Sequence, residues 1–155
     1  PYKVEGEIVS STAIRKAIES AEIEKANLFM GRPFYIEGMI EKGKGRGKTI
    51  GFPTANVYTV SETLPAKGVY ACKVYYKDKV YTGVTNVGNN PTFEEKTKRL
   101  LQIETHILDF DKDIYGEDLR IEFIEYLRGE KKFSGVEELV AQIKKDVSSV
   151  REKYA

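Results

Sequence analysis

From Phe34 onward the chain breaks into short β-rich runs separated by turn residues, and it closes on one amphipathic helix. That succession limits the possible folds more than any other feature. The runs cover residues 34–40, 54–58, 68–76, 79–87, 100–110 and 119–126. They are rich in Val, Ile, Thr and Tyr, which suit a pleated, half-buried surface. Lys77-Asp78 separates two of them as a hairpin turn would. Gly88-Asn89-Asn90-Pro91 reads as a break. Ser134-Gly135-Val136-Glu137 has capping-box spacing. Val136, Leu139, Val140, Ile143, Val147 and Val150 then share one helical face, and the helix reads as packed on a sheet. The pattern predicts a mainly β fold, a small antiparallel barrel flanked by helices.

Residues 1–30 read as helical. Ser10-Ser11-Thr12 offers N-cap hydroxyls, and Ile14, Ala17 and Ile18 recur at helical spacing. A second helical stretch covers residues 23–30 and stops before Gly31-Arg32-Pro33. The 155 residues suffice for one domain with a core, and a net charge of +1 gives no global pull toward nucleic acid or membrane. The charge is uneven: Lys42, Lys44, Arg46 and Lys48 form a basic run, and residues 104–125 are acidic. Cys72 is the one cysteine. It falls in a β-rich run and reads as a packed thiol in a reducing, cytoplasmic setting. No apolar run reaches the roughly 20 residues of a membrane span, and no secretory signal is visible. The chain opens on Pro1 rather than Met, as a processed chain or a fragment would.

Three segments could carry chemistry. The first runs from Gly43 to Asn56, Gly-Lys-Gly-Arg-Gly-Lys-Thr-Ile-Gly-Phe-Pro-Thr-Ala-Asn. Glycines let backbone N–H groups approach an anion, and the cations neutralise its charge. Thr54 and Asn56 are two apart, so an extended backbone points both one way. Both are oxygen donors suited to a hard cation such as Mg²⁺. The stretch lacks the Gly-x-x-x-x-Gly-Lys-Ser/Thr order of a Walker A loop, and a solvated basic loop would share its glycines. The second segment spans residues 101–108. Alternation puts Leu101, Ile103, Thr105 and Ile107 on one face and Gln102, Glu104 and His106 on the other. A carboxylate there could take a proton from an attacking hydroxyl; a solvent-facing charged strand is the plainer alternative. In the third segment, Arg128 and Phe133 bracket a loop that could close over a planar ligand. An exposed loop anchored by Phe133 in the core fits equally well.

Taken together, these segments resemble the riboflavin kinase family, in particular the kinase module of the bifunctional bacterial riboflavin kinase/FMN adenylyltransferases. The resemblance rests on Gly51-Phe52-Pro53-Thr54-Ala55-Asn56, Gly68-Val69-Tyr70, Gly83-Val84-Thr85-Asn86-Val87-Gly88 and Asn90-Pro91-Thr92-Phe93. Glu104-Thr105-His106, Asp109-Phe110, Tyr115-Gly116, Leu127-Arg128, Lys131 and Phe133 extend it. It implies a six-stranded antiparallel Greek-key barrel with a C-terminal helix over residues 31–155. It also implies phosphate transfer from ATP to riboflavin, giving FMN and ADP, with Mg²⁺ or another divalent cation. Gly43, Gly45, Gly47 and Lys48 match nucleotide-binding positions of the glycine-rich loop. Thr54 and Asn56 match residues that bind metal and phosphates, and Glu104 matches the catalytic carboxylate. Ile107, Asp109 and Tyr115 match the segment lining the adenine nucleotide; Arg128 and Phe133 match the flavin-side loop.

A second resemblance lies in residues 1–30. Val9-Ser10-Ser11-Thr12-Ala13-Ile14-Arg15 is similar to the Ser-Ser-Thr-x-Ile-Arg motif near the end of the adenylyltransferase module. That module also needs a His-x-Gly-His motif, and the one histidine here is His106. The expectation is a helical tail of an incomplete module, without FMN adenylylation, and no nucleic-acid or membrane partner. A flavin-binding module without catalysis and a single-stranded nucleic-acid-binding barrel are the alternatives.

Overall fold

In the computed structural model, which describes residues 2–42, 51–89 and 101–155, six strands close into a barrel. A hairpin of β1 (Lys3–Val4) and β2 (Glu7–Ile8) leads into α1 (Ser11–Glu19) and α2 (Ile23–Met30). The barrel strands are β3 (Phe34–Glu41), β4 (Ala55–Tyr58), β5 (Gly68–Tyr76), β6 (Lys79–Asn89), β7 (Leu101–Ile107) and β8 (Asp118–Arg128); α3 (Val136–Tyr154) ends the chain. Every neighbouring pair is antiparallel, in the circular order β3-β4-β7-β6-β5-β8. Strands β5, β6 and β7 follow one another, and β8 returns beside β5, which is a Greek key. The expected six-stranded Greek-key barrel is the observed fold.

Alternation explains which side of β7 is dry. On β7, Ile103, Thr105 and Ile107 are buried while Gln102, Glu104 and His106 are partly exposed. Inward residues of the other strands, among them Ile36, Tyr70, Val74, Val87, Ile121 and Phe123, complete the core. Thr85 and Thr105 are fully buried partners on β6 and β7, and their hydroxyls bond each other at 2.9 Å. Cys72 is a free thiol inside the barrel, and burial pushes it up to about 12. It is therefore the packed, unreactive cysteine its surroundings suggested.

The expected helices form, with differences that have local causes. Ser10 caps α1 by accepting from the Ala13 N–H at 3.0 Å, and Gly31 ends α2 in the left-handed conformation at φ 71°. Residues 3–8, read as helical, are a hairpin instead. Glu5 and Gly6 both have positive φ, the requirement of a tight two-residue turn. Strand β7 stops at Ile107, short of the expected residue 110, and Asp109 takes a left-handed φ of 56° two residues later. Strand β6 continues through Gly88 and Asn89, where a break was expected. The α3 N-cap is Gly135, without a side-chain cap; Ser134 instead bonds Glu138 through both its N–H and its hydroxyl. Residues 43–50 and 90–100, with Gly43, Gly45, Gly47 and Lys48 among them, lie outside the described residues.

Helices α1 and α2 belong to the barrel's packing. Ala17, Ile18, Ile23 and Ala26 share the core cluster with the barrel strands. Asn27 joins α2 to two strands at once: its Nδ2 donates to Phe123 O at 2.8 Å and its Oδ1 accepts from Phe34 N–H at 2.7 Å. Replacing it leaves both backbone groups unpaired in a half-buried place. Asn27→Ala is expected to lower unfolding stability by about 1–3 kcal/mol. Urea denaturation at an unchanged m-value measures this; a loss below about 0.5 kcal/mol would remove the bridge as a stabilising feature.

Candidate functional site

Strand β7 lies between β4 and β6, and its ladders set three polar side chains in one row. Asn56 of β4 pairs with Glu104, and Glu104 pairs with Asn86 of β6. Paired residues project from the same face of a sheet, with Cβ atoms about 4.5–5.5 Å apart. The row faces outward from the barrel into a cavity of about 710 Å³. Strand β4 begins at Ala55, so Thr54, which also lines the cavity, stands just ahead of the ladder.

Three further contacts organise this wall. Gln102 Nε2 donates to Asn56 Oδ1 at 2.8 Å. His106 lies 2.8 Å from Pro53 O through Nδ1, and since a carbonyl only accepts, Nδ1 carries the proton. The His106 ring meets Phe52 edge-on, with centroids 5.7 Å apart. All four outward groups of this wall, Asn56, Gln102, Glu104 and His106, line the cavity.

The opposite wall comes from α3 and the loop before it. Leu139, Ile143 and Val147 present an incompletely buried apolar row to the cavity. Phe133 lines it as well; it is half-buried and outside the core cluster, so it does not anchor the loop there. Arg128 also lines the cavity, but its guanidinium is already engaged. Nε lies 3.1 and 3.2 Å from the two Asp146 carboxylate oxygens, Nη2 donates to Oδ2 at 2.8 Å, and Nη1 donates to Gly129 O. Gln142 donates to Asp146, and Lys131 donates to Gln142. Asp146 is buried and Arg128 only 18% exposed, so the pair ties the end of β8 to the middle of α3. Gly88 brings the loop close: a Cβ there would come within 2.6 Å of Glu130 Oε1.

The expected residues therefore separate. Thr54, Asn56, Glu104, Arg128 and Phe133 surround one cavity. Ile107, Asp109 and Tyr115 do not line it. Ile107 is in the barrel core, Asp109 is exposed and paired with Arg151 at 2.9 Å, and Tyr115 is 63% exposed. Sequence reasoning gave no role to Asn86 or Gln102, and read α3 as sheet packing alone. Alternation already aligned Gln102 with Glu104. Nothing local announced that Asn86 would sit opposite Glu104, because that depends on which strands become neighbours.

The oxygen donors on the first wall are hard ones: a hydroxyl, amide carbonyls and a carboxylate. Among the described residues no group of three or more His, Cys, Asp or Glu gathers as a metal cluster. Such a set fits a hard divalent cation that also takes oxygens from phosphate and water.

Comparison with known proteins places the chain. The family model Flavokinase, riboflavin kinase, matches residues 30–154. The chain is 44% identical over 139 residues to the bifunctional riboflavin kinase/FMN adenylyltransferase of Bacillus subtilis (strain 168), covering 89% of this chain and 44% of that one. A solved structure from Streptococcus pneumoniae, described as a macrolide-efflux protein, is similar over the whole chain and half of its own, at TM-score 0.90 and 36% identity. The riboflavin kinase of Trypanosoma brucei shares the fold at TM-score 0.54 and 24% identity, over 77% of this chain and 78% of that one. The chain spans about half the length of the curated relatives it matches. Among the described residues no helix is long and apolar enough to cross a membrane.

The α3 wall is held from its C-terminal end. Val150 is fully buried, and Tyr154 O accepts from Lys73 at 2.9 Å. Tyr154 Oη donates to Glu125 at 2.6 Å, and Lys153 donates to the same carboxylate. Chiefly the Tyr154 bond, reinforced by Lys153 and opposed by partial burial, holds Glu125 below the usual glutamate value. Burial first, then the hydrogen bond to Glu125 and its charge, pushes Tyr154 up to about 12. The Glu125 contribution is complete above the unfolded glutamate value of about 4.3 and is lost as pH falls through the lowered folded value. The Tyr154 contribution is complete below about pH 10 and is lost as pH rises through about 12. Tyr154→Phe is therefore expected to destabilise at pH 7, by an amount that shrinks on acidification. Denaturation midpoints at pH 7 and pH 3 check this; an equal loss at both would set the Glu125 interaction aside.

Proposed function

The chain belongs to the riboflavin kinase family, and from that membership we propose that it transfers the γ-phosphoryl group of ATP to the ribityl 5′-hydroxyl of riboflavin, giving FMN and ADP. The observation that carries this reading to particular residues is the row Asn56–Glu104–Asn86 on the wall of one cavity. Phosphoryl transfer runs mainly on positioning and charge neutralisation. A carboxylate beside neutral oxygen donors supports that chemistry.

Glu104 orients the hydroxyl and accepts its proton as the hydroxyl oxygen bonds to the γ-phosphorus and the bond to the ADP oxygen breaks. Thr54 and Asn56 hold the divalent cation, taken as Mg²⁺, and when bound it supplies charge neutralisation at the phosphates. Gly43, Gly45, Gly47 and Lys48 hold the nucleotide phosphates, an assignment resting on the motif. Ile107, Asp109 and Tyr115 remain assigned to the adenine side by resemblance. For Ile107 this can only be a backbone role, since its side chain is in the core. Phe133 and the apolar row of α3 form the flavin side. Arg128 contributes there by holding α3 through Asp146. Residues 1–30 are the tail of an adenylyltransferase module that the full-length protein carries, and residues 31–155 are the kinase domain. A cytoplasmic setting goes with ATP as donor.

Incubation with riboflavin, ATP and Mg²⁺ should yield FMN, which neither a flavin-binding module nor a nucleic-acid-binding barrel would make. No FAD should form from FMN and ATP. Glu104→Gln is expected to cut turnover by about 10²–10⁴ while riboflavin binding persists; near-normal turnover would mean another base. Asn56→Ala should raise the Mg²⁺ concentration needed for half-maximal rate, and an unchanged titration would take Asn56 out of the metal site.

A further inference from the structure

Glu104 stands between two outward residues of β7 that both reach across to one segment of chain. Gln102 precedes it by two residues and His106 follows by two, so alternation puts all three on the cavity face. Gln102 donates to Asn56 Oδ1, and His106 donates to Pro53 O, each at 2.8 Å. Thr54 lies between those two held points.

The backbone ladder does not hold the segment by itself. Strand β4 pairs with β7 at Ala55, Asn56 and Val57. Pro53 and Thr54 precede that ladder and are exposed. The His106 bond extends the connection past the last backbone pair, and the edge contact with Phe52 carries it one residue further. At the other end the difficulty is the amide itself. An Asn side chain can turn either its oxygen or its NH₂ toward a given point, and only the oxygen suits a cation. A donor from Gln102 selects Oδ1, which has a second lone pair beyond that bond.

We infer that Gln102 and His106 are positioning residues for the transfer: they clamp segment 53–56 so that Thr54 and Asn56 present oxygens to a metal–nucleotide alongside Glu104. This rests on the kinase reading above. Hydrogen-bond partners standing behind a metal ligand are typically worth about 10- to 100-fold in metal affinity or activity.

The test uses Mn²⁺ with ADP, a pair that binds without turnover, and counts free Mn²⁺ by electron paramagnetic resonance. Gln102→Met keeps the side-chain length without the donor. His106→Phe keeps the ring without it. His106→Asn returns an amide N–H near the place of Nδ1. The Mn²⁺ dissociation constant should rise by about 10- to 100-fold in Gln102→Met and His106→Phe, and His106→Asn should recover most of it. Riboflavin affinity, read by flavin fluorescence without nucleotide, should stay at the wild-type level. Unchanged Mn²⁺ affinity in both donor-less variants overturns the clamp. So does a parallel loss of riboflavin affinity in both, or His106→Asn no better than His106→Phe. A wild-type protein that binds Mn²⁺ and ADP but makes no FMN overturns the kinase reading while the clamp is judged on binding. Failure of the wild type to bind Mn²⁺ with ADP overturns both.

Discussion

The register of β7 against β4 and β6 is what the rest of the structure depends on. Thr105 and Thr85 pair directly across that ladder, both fully buried, with their hydroxyls bonded to each other. A slip of one residue would turn Glu104 and Gln102 into the barrel and push Ile103 and Thr105 toward water. It would also part the two hydroxyls in the dry interior, at about 1–3 kcal/mol for each unsatisfied group. The buried threonine pair thus guards the placement of a carboxylate on the opposite face of β7. Core and site are two faces of one strand.

The cavity's second wall obeys a different constraint. Helix α3 buries Val150 and fixes Tyr154 against β5 and β8 at its C-terminal end, but leaves Leu139 and Ile143 only partly covered nearer its start. Between them, the pair of half-buried Arg128 and buried Asp146 joins the end of β8 to the helix. Breaking such a pair from one side leaves a charge stranded in a poorly hydrated place. On the proposed kinase reading, the incomplete apolar packing is the helix's share of the flavin side, and the ion pair sets how far that share stands from the β7 row.

Much of the fold was legible because it rests on local rules. β-rich runs bounded by turn residues marked the six barrel strands, Ser10 and Gly31 marked helix ends, and Cys72 sat in a strand that is buried. The misses also have local causes. Glu5-Gly6 was a turn inside a stretch read as helix, because two positive φ values outweigh a weak helical pattern. Ser134 found Glu138 rather than Glu137, moving the start of α3 by one residue. For the site, Thr54, Asn56 and Glu104 could be singled out by chemistry. Asn86 could not, since only β6 lying beside β7 brings it opposite Glu104. Arg128 was legible as a loop cation, but its commitment to Asp146, eighteen residues on, was not.

By itself the sequence determined which runs after Phe34 would be strands, which face of β7 would be apolar, and which oxygen, carboxylate and cationic groups were available. Those properties follow from single residues and their near neighbours, where alternation and steric preference act. Only the tertiary structure decided which groups would meet. Barrel closure in the order β3-β4-β7-β6-β5-β8 placed Asn56, Glu104 and Asn86 in one row, and it set α3 across from them. Closure is a global event: the register of any strand is settled by burying every strand's apolar face at once, and no local window contains that information.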